Sequence, residues 1–106
     1  MVTKTALIRE LKAFLGKISS RVKVTDFILF GSRAHGQHRK YSDVDLLVVS
    51  PDFRGKAFRR SHDLYDYWKL DLPVDFICLT PEEFKEKSKS RLNVIGVATR
   101  TGIRVS

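Results

Sequence analysis

The stretch FILFGSRAHGQHRKYSDVDLLVV, residues 27–49, decides how this chain folds. Two apolar runs, 27–30 and 46–49, flank a loop. The loop opens on Gly31-Ser32, gathers Arg33, His35, His38, Arg39 and Lys40, and closes on Asp43-Val44-Asp45. The first run, read from Val24 as VTDFILF, is rich in β-branched and aromatic residues and ends at a glycine, so it is expected to be a strand. The second, VDLLVVS, is a strand stopped by Ser50-Pro51. Neither alternates polar with apolar residues, so both are expected in the interior of a sheet covered on two faces.

Outward from this pair, TKTALIRELKAFLGKISSRV (3–22) places Leu7, Leu11, Phe14, Leu15, Ile18 and Val22 at helical spacing, with Thr3 or Thr5 able to cap the start. The opposite face, with Lys4, Arg9, Lys12 and Lys17, reads as solvated. GKAFRRSHDLYDYWKL (55–70) puts Ala57, Phe58, Ser61, Leu64, Tyr65 and Trp68 on one helical stripe, so its aromatics read as core. LPVDFICLT (72–80) is a third strand, entered through Pro73. TPEEF (80–84) starts a helix: Thr80 as cap, Pro81 at the first position, Glu83 three residues after the cap. That helix is expected to run through Leu92 and Ile95 and stop before Thr101-Gly102. IRV (103–105) is a short final strand. The order helix, strand, strand, helix, strand, helix gives an α/β (α+β) fold class, a small mixed β-sheet packed with helices. No repeat or linker divides residues 1–106, so one domain is expected.

The chain has 106 residues, 42% of them hydrophobic and 30% charged, a balance that folds. Twenty Lys and Arg against twelve Asp and Glu leave a net charge of +8, which favours polyanionic or acidic partners or simply a solvated lysine-rich surface. The one cysteine, Cys78, excludes an internal disulfide and fits a reducing compartment. Its place in VDFICL reads as core packing. No apolar run approaches the ~20 residues of a membrane span, and the N-terminus lacks a signal-peptide core. The expected location is the cytoplasm, with no membrane partner.

Asp43 and Asp45 stand two apart at a strand entry, so both side chains face one side. Side by side they repel, and a divalent cation relieves that. Mg²⁺ suits a few carboxylate oxygens plus water and substrate phosphate. Asp75 interrupts the otherwise apolar VDFICL, where a lone aspartate is costly unless paired or bound to metal. If its strand lies beside the first aspartates, three carboxylates converge, enough to hold two metals ~3.5–4 Å apart for in-line phosphoryl chemistry. A chain leaving a strand through Gly31 can approach a ligand closely and aim consecutive N–H groups at an anion. Ser32 adds a hydroxyl, and Arg33 could stabilise polyphosphate or leaving pyrophosphate. The plainer alternative is a turn at Gly31-Ser32, a cap at Asp43 and a strand-edge residue at Asp75. His35, His38 and His62 form no metal-ligand spacing, and Ser42 reads as a local hydrogen-bonding residue. Arg54, Lys56, Arg59 and Arg60 could meet an acidic partner or a nucleic-acid backbone.

Gly-Ser, ten residues, then Asp-x-Asp, with a carboxylate on a later strand, resembles the nucleotidyltransferase superfamily related to DNA polymerase beta. LFGSRA and SDVDLLVV are similar to its short "minimal nucleotidyltransferase" group, over essentially the whole chain; His35 stands where relatives often carry a second arginine. The resemblance implies a polymerase beta-type fold and transfer of AMP from ATP to an acceptor hydroxyl. It implies Asp43 and Asp45 on two Mg²⁺ ions, Asp75 on the catalytic one, and Gly31 and Ser32 on the β and γ phosphates. Larger relatives add a helical domain; without one, the chain would borrow surface from a partner or from a second copy as a homo-oligomer. Small members of this kind resemble antitoxins paired with a helical HEPN-domain ribonuclease toxin, which implies AMP transfer to a toxin tyrosine. Two other functions fit the same residues: a non-catalytic antitoxin that works by occlusion, and a nucleotidyltransferase acting on RNA or a small molecule.

Overall fold

The computed structural model describes residues 3–36, 43–55 and 59–105. Among these residues four strands form one mixed sheet, and five α-helices pack on it. His38, Arg39, Lys40, Ser42, Lys56, Ala57 and Phe58, which the sequence reading used, lie outside the described residues.

Helix α1 (Lys4–Ile18) starts at Thr3, whose hydroxyl accepts from the Ala6 N–H at 3.1 Å. Its buried stripe is Leu7, Leu11, Phe14 and Ile18, with Leu15 partly covered. β1 (Asp26–Phe30) and β2 (Val44–Val49) pair antiparallel, and β2 pairs parallel with β3 (Val74–Leu79). β4 (Ile103–Arg104) closes the other side, giving the order β3-β2-β1-β4. An ion pair of 2.6 Å from Arg104 to Asp26 pins that short strand. β1 and β2 are central and nearly wholly buried, as their unbroken apolar runs require.

The sheet separates two apolar layers. Val44, Leu46 and Val48 face α1 together with Phe27, Leu29 and Leu64. Leu47 and Val49 face the other way, against Ile95 and Ala98. An aromatic cluster tightens the first layer: Phe14 stacks on Phe76 at 5.7 Å and meets Trp68 edge-on at 5.3 Å.

Two helices differ from expectation. Among the described residues of the segment 55–70 the one helix is α3 (His62–Tyr67), preceded by a turn at 59–61; Trp68 already has extended backbone, and its indole N–H donates to the Leu72 carbonyl at 2.8 Å. The long helix after Thr80 is two helices, α4 (Pro81–Lys87) and α5 (Val94–Thr101). α4 has the anticipated capping box between Thr80 and Glu83. It stops because Ser88, Ser90 and Asn93 offer the backbone local partners. The Asn93 side chain accepts from the Gly96 N–H at 2.8 Å and so begins α5. Leu92, expected within that helix, lies between the two and is 95% exposed.

Candidate active site

Strand register assembles the site. Phe30 pairs with Asp45, so the turn at Gly31 arrives where β2 begins. The parallel pair sets Asp45 opposite Asp75, so β3 begins there too. Side chains alternate across a strand, and Leu47, Val49, Ile77 and Leu79 share the layer under α5. Asp45 and Asp75 belong to that face, and Asp43, two residues before Asp45, belongs to it as well. Thus Asp75, distant in sequence, comes to the same end of the sheet as Asp43 and Asp45. Asp43 and Asp75 are exposed, and Asp45 is half-buried.

Burial, then the charges of Asp75 and Asp43, push the Asp45 carboxyl above its ordinary value of 3.8. Among the described residues none of the three carboxylates has an ion-pair partner. Carboxylates gathered at one place repel each other, a condition a divalent cation relieves. Among the described residues no group of three His, Cys, Asp or Glu is placed so that it could hold a metal ion. A Mg²⁺ ion held by carboxylates here would need waters and substrate phosphates to complete its shell.

Gly31 explains why this loop begins with glycine. Its backbone lies at φ 76° and ψ −160°, a region essentially closed to other residues. A methyl group there would stand 2.3 Å from the Asp45 Oδ2. The absence of a side chain thus brings the backbone against the carboxylate, joining the two ends of the loop at one point. Ser32 opens the short helix α2 (Ser32–His35) and is half-buried.

Arg33, which the sequence offers as a contact for polyphosphate or leaving pyrophosphate, is buried, only 2% exposed. Ala34 beside it joins the core, so α2 turns this edge inward, and His35 remains exposed. The basic cluster after β2 is partly spent on structure. Arg54 pairs with Glu82, and Arg60 pairs with Glu83 while donating to the Phe53 and Cys78 carbonyls at 3.0 and 3.1 Å. These pairings hold both glutamates below the usual carboxylate range. No local spacing could have shown them, because the glutamates lie on another element. Burial pushes the Cys78 thiol up to about 12, in keeping with a packing role.

Sequence reasoning missed Tyr65. It was assigned to the core stripe, but α3 begins only at His62 and leaves Tyr65 46% exposed. Its hydroxyl donates to the Val74 carbonyl at 3.3 Å, next to Asp75.

The family described as "Nucleotidyltransferase domain" matches residues 9–97. A solved structure of a candidate nucleotidyltransferase from Sulfolobus solfataricus aligns with a TM-score of 0.67 and 20% identity, over 95% of this chain and 80% of that one. That likeness establishes a shared fold. Another solved candidate nucleotidyltransferase has a TM-score of 0.48 and 24% identity, over 78% of this chain and 88% of that one. No curated protein matches the chain.

Proposed function

The chain belongs to the nucleotidyltransferase domain family, and from that premise we propose that it transfers AMP from ATP to an acceptor hydroxyl, a tyrosine of a helical HEPN-domain ribonuclease. The observation that carries the reading is the meeting of Asp43, Asp45 and Asp75 with the Gly31 backbone packed directly on Asp45. Asp43, Asp45 and Asp75 would hold Mg²⁺, two ions in full, which when bound supplies charge neutralisation on the phosphates. Gly31 and Ser32 lie across the sheet end from Asp75, so the triphosphate side and the acceptor side of the site fall on opposite flanks of Asp45. Asp75 receives the proton of the acceptor hydroxyl as its oxygen bonds to the α phosphorus and pyrophosphate leaves. Positioning and charge stabilisation supply most of such catalysis. A net charge of +8 favours an acidic partner surface.

Mass spectrometry of the helical partner after incubation with Mg-ATP tests this: the expected result is a gain of AMP units on a tyrosine. Complex formation with no mass gain would replace catalysis by occlusion, and labelled RNA or small molecule with unlabelled partner would move the acceptor. Asp75→Asn is expected to lower transfer at least about a hundredfold while part of the Mg-ATP binding remains by calorimetry. Undiminished transfer by that variant would remove Asp75 from the mechanism.

A further inference from the structure

Of the four large apolar side chains left exposed among the described residues, three stand at the start of α5: Leu92, Val94 and Val97. Leu92 directly precedes the cap Asn93, and Val97 is the fourth helical residue. Apolar side chains at these two positions ordinarily pack on each other across a helix start. Here that contact is open, with Leu92 95% and Val97 41% exposed. The inner face of α5, Ile95 and Ala98, is already spent on the sheet. The helix thus shows a second apolar stripe that nothing in the fold covers.

Cations ring this stripe. The Asn93 side-chain amide donates to the Lys87 carbonyl at 3.0 Å, and the Arg100 guanidinium donates to the Arg91 carbonyl at 3.1 Å. Lys87, Arg91 and Arg100 therefore all stand beside the start of α5. Residues 85–100 hold five Lys and Arg against one acidic residue, Glu86, which Lys89 pairs with at 3.2 Å. Among the described residues Lys87, Arg91 and Arg100 have no ion-pair partner.

An apolar centre inside a charged rim is the anatomy of a protein–protein interface, and the sign of the rim selects the partner. A second copy of this chain would set the same patch on itself, cation against cation. A nucleic-acid backbone satisfies cations but leaves aliphatic side chains uncovered, and bases stack on aromatic rings, which Leu92, Val94 and Val97 do not supply. A membrane surface takes up a helix whose main apolar face is free, and that of α5 lies in the core. An amphipathic helix with an apolar stripe between rows of Asp and Glu answers both centre and rim. We infer that the start of α5 is a docking surface for an acidic amphipathic helix of another protein. Leu92, Val94 and Val97 supply the contact, and the cations set orientation and speed the encounter. Docking uses α5 and not the carboxylates, so it holds whether or not the chain transfers AMP.

The probe is a synthetic helix of about 20 residues, a leucine stripe flanked by glutamates, titrated into the whole chain by fluorescence anisotropy. Saturable binding that weakens as salt rises is expected. Leu92→Ser with Val97→Ser should raise the Kd at least about tenfold. Lys87→Glu with Arg91→Glu should lose the acidic peptide and gain a version whose glutamates are lysines. Circular dichroism of both variants confirms that each is folded. No binding below about 1 mM peptide, or binding that neither variant changes, would overturn the inference. So would anionic phosphatidylserine vesicles or an RNA oligonucleotide binding through these residues in place of the peptide, or a dimer in sedimentation that Leu92→Ser with Val97→Ser dissolves.

Discussion

At Gly31 two constraints coincide: a backbone conformation that side chains oppose, and a carboxylate standing where a β-carbon would go. Gly31→Ala should therefore destabilise by about 1–3 kcal/mol from backbone strain, plus the displacement of Asp45. Denaturation of Gly31→Ala in an Asp45→Ala background separates the two, since only the strain survives there and the double-mutant coupling reads the contact. Asp45 itself has a raised carboxyl, so the folded chain holds that proton more tightly than the unfolded chain does. The stability this gives is fully present below the ordinary value of 3.8 and is lost as pH rises through the raised folded value. At neutral pH the ionised group opposes folding. Asp45→Asn should thus unfold at a higher temperature than wild type at pH 7, by up to about 1 kcal/mol in stability, with the gap closing toward acid. Mg²⁺ should raise the wild-type Tm and leave that of Asp45→Asn nearly unmoved. A variant less stable at pH 7 than wild type would contradict the charge argument. Both residues were legible in the sequence because glycine before an Asp-x-Asp strand is a local pattern. The burial of Arg33 was not, since a helix of four residues carries too little periodicity to tell its inner side.

Among the elements, α5 matters to the site because it covers the sheet face that carries Asp45 and Asp75. Its beginning rests on Asn93. Asn93→Ala should cost about 1 kcal/mol, seen as a lower urea midpoint with an unchanged m-value. Its effect on Mg²⁺ affinity should be small, since the cap lies on α5 and not on a strand that holds a carboxylate. The tight approach beneath the cap is fixed by Gly96, where a methyl group would stand 1.6 Å from the Ser90 carbonyl oxygen. The break between α4 and α5 escaped the sequence reading because Leu92 and Ile95 continue a helical spacing, while the serines and asparagine that interrupt it act by side-chain competition that periodicity does not register. The strands were read correctly for the opposite reason. Their apolar runs are short, unbroken and bounded by glycine, proline or serine, which leaves few other structures open. Arg60 shows a third case: its partners lie on β3, on α4 and after β2, so its structural use depends on the tertiary fold.

On the scale of the molecule, β2 is the element through which stability and site meet, since its side chains feed both apolar layers. Leu46 and Leu47 are neighbours, both fully buried, and they face opposite layers. Truncating either to alanine removes the same atoms from a closed interior, and each should cost about 2–5 kcal/mol. That is a large fraction of the roughly 5–15 kcal/mol that holds a domain of this size. The two should part company in function. Leu47 lies on the Asp45 face, one pleat along, and it helps seat the strand against α5 under the carboxylates. Leu46 faces α1, on the far side of the sheet from the carboxylates. At a temperature where both variants remain folded, Leu47→Ala should weaken Mg²⁺ binding and nucleotidyl transfer, while Leu46→Ala should leave the folded fraction with wild-type affinity. Urea denaturation matched with Mg²⁺ titration at that temperature checks the pair. Equal losses of affinity per unit of lost stability would mean that the site depends on the sheet as a whole and not on the layer beneath it.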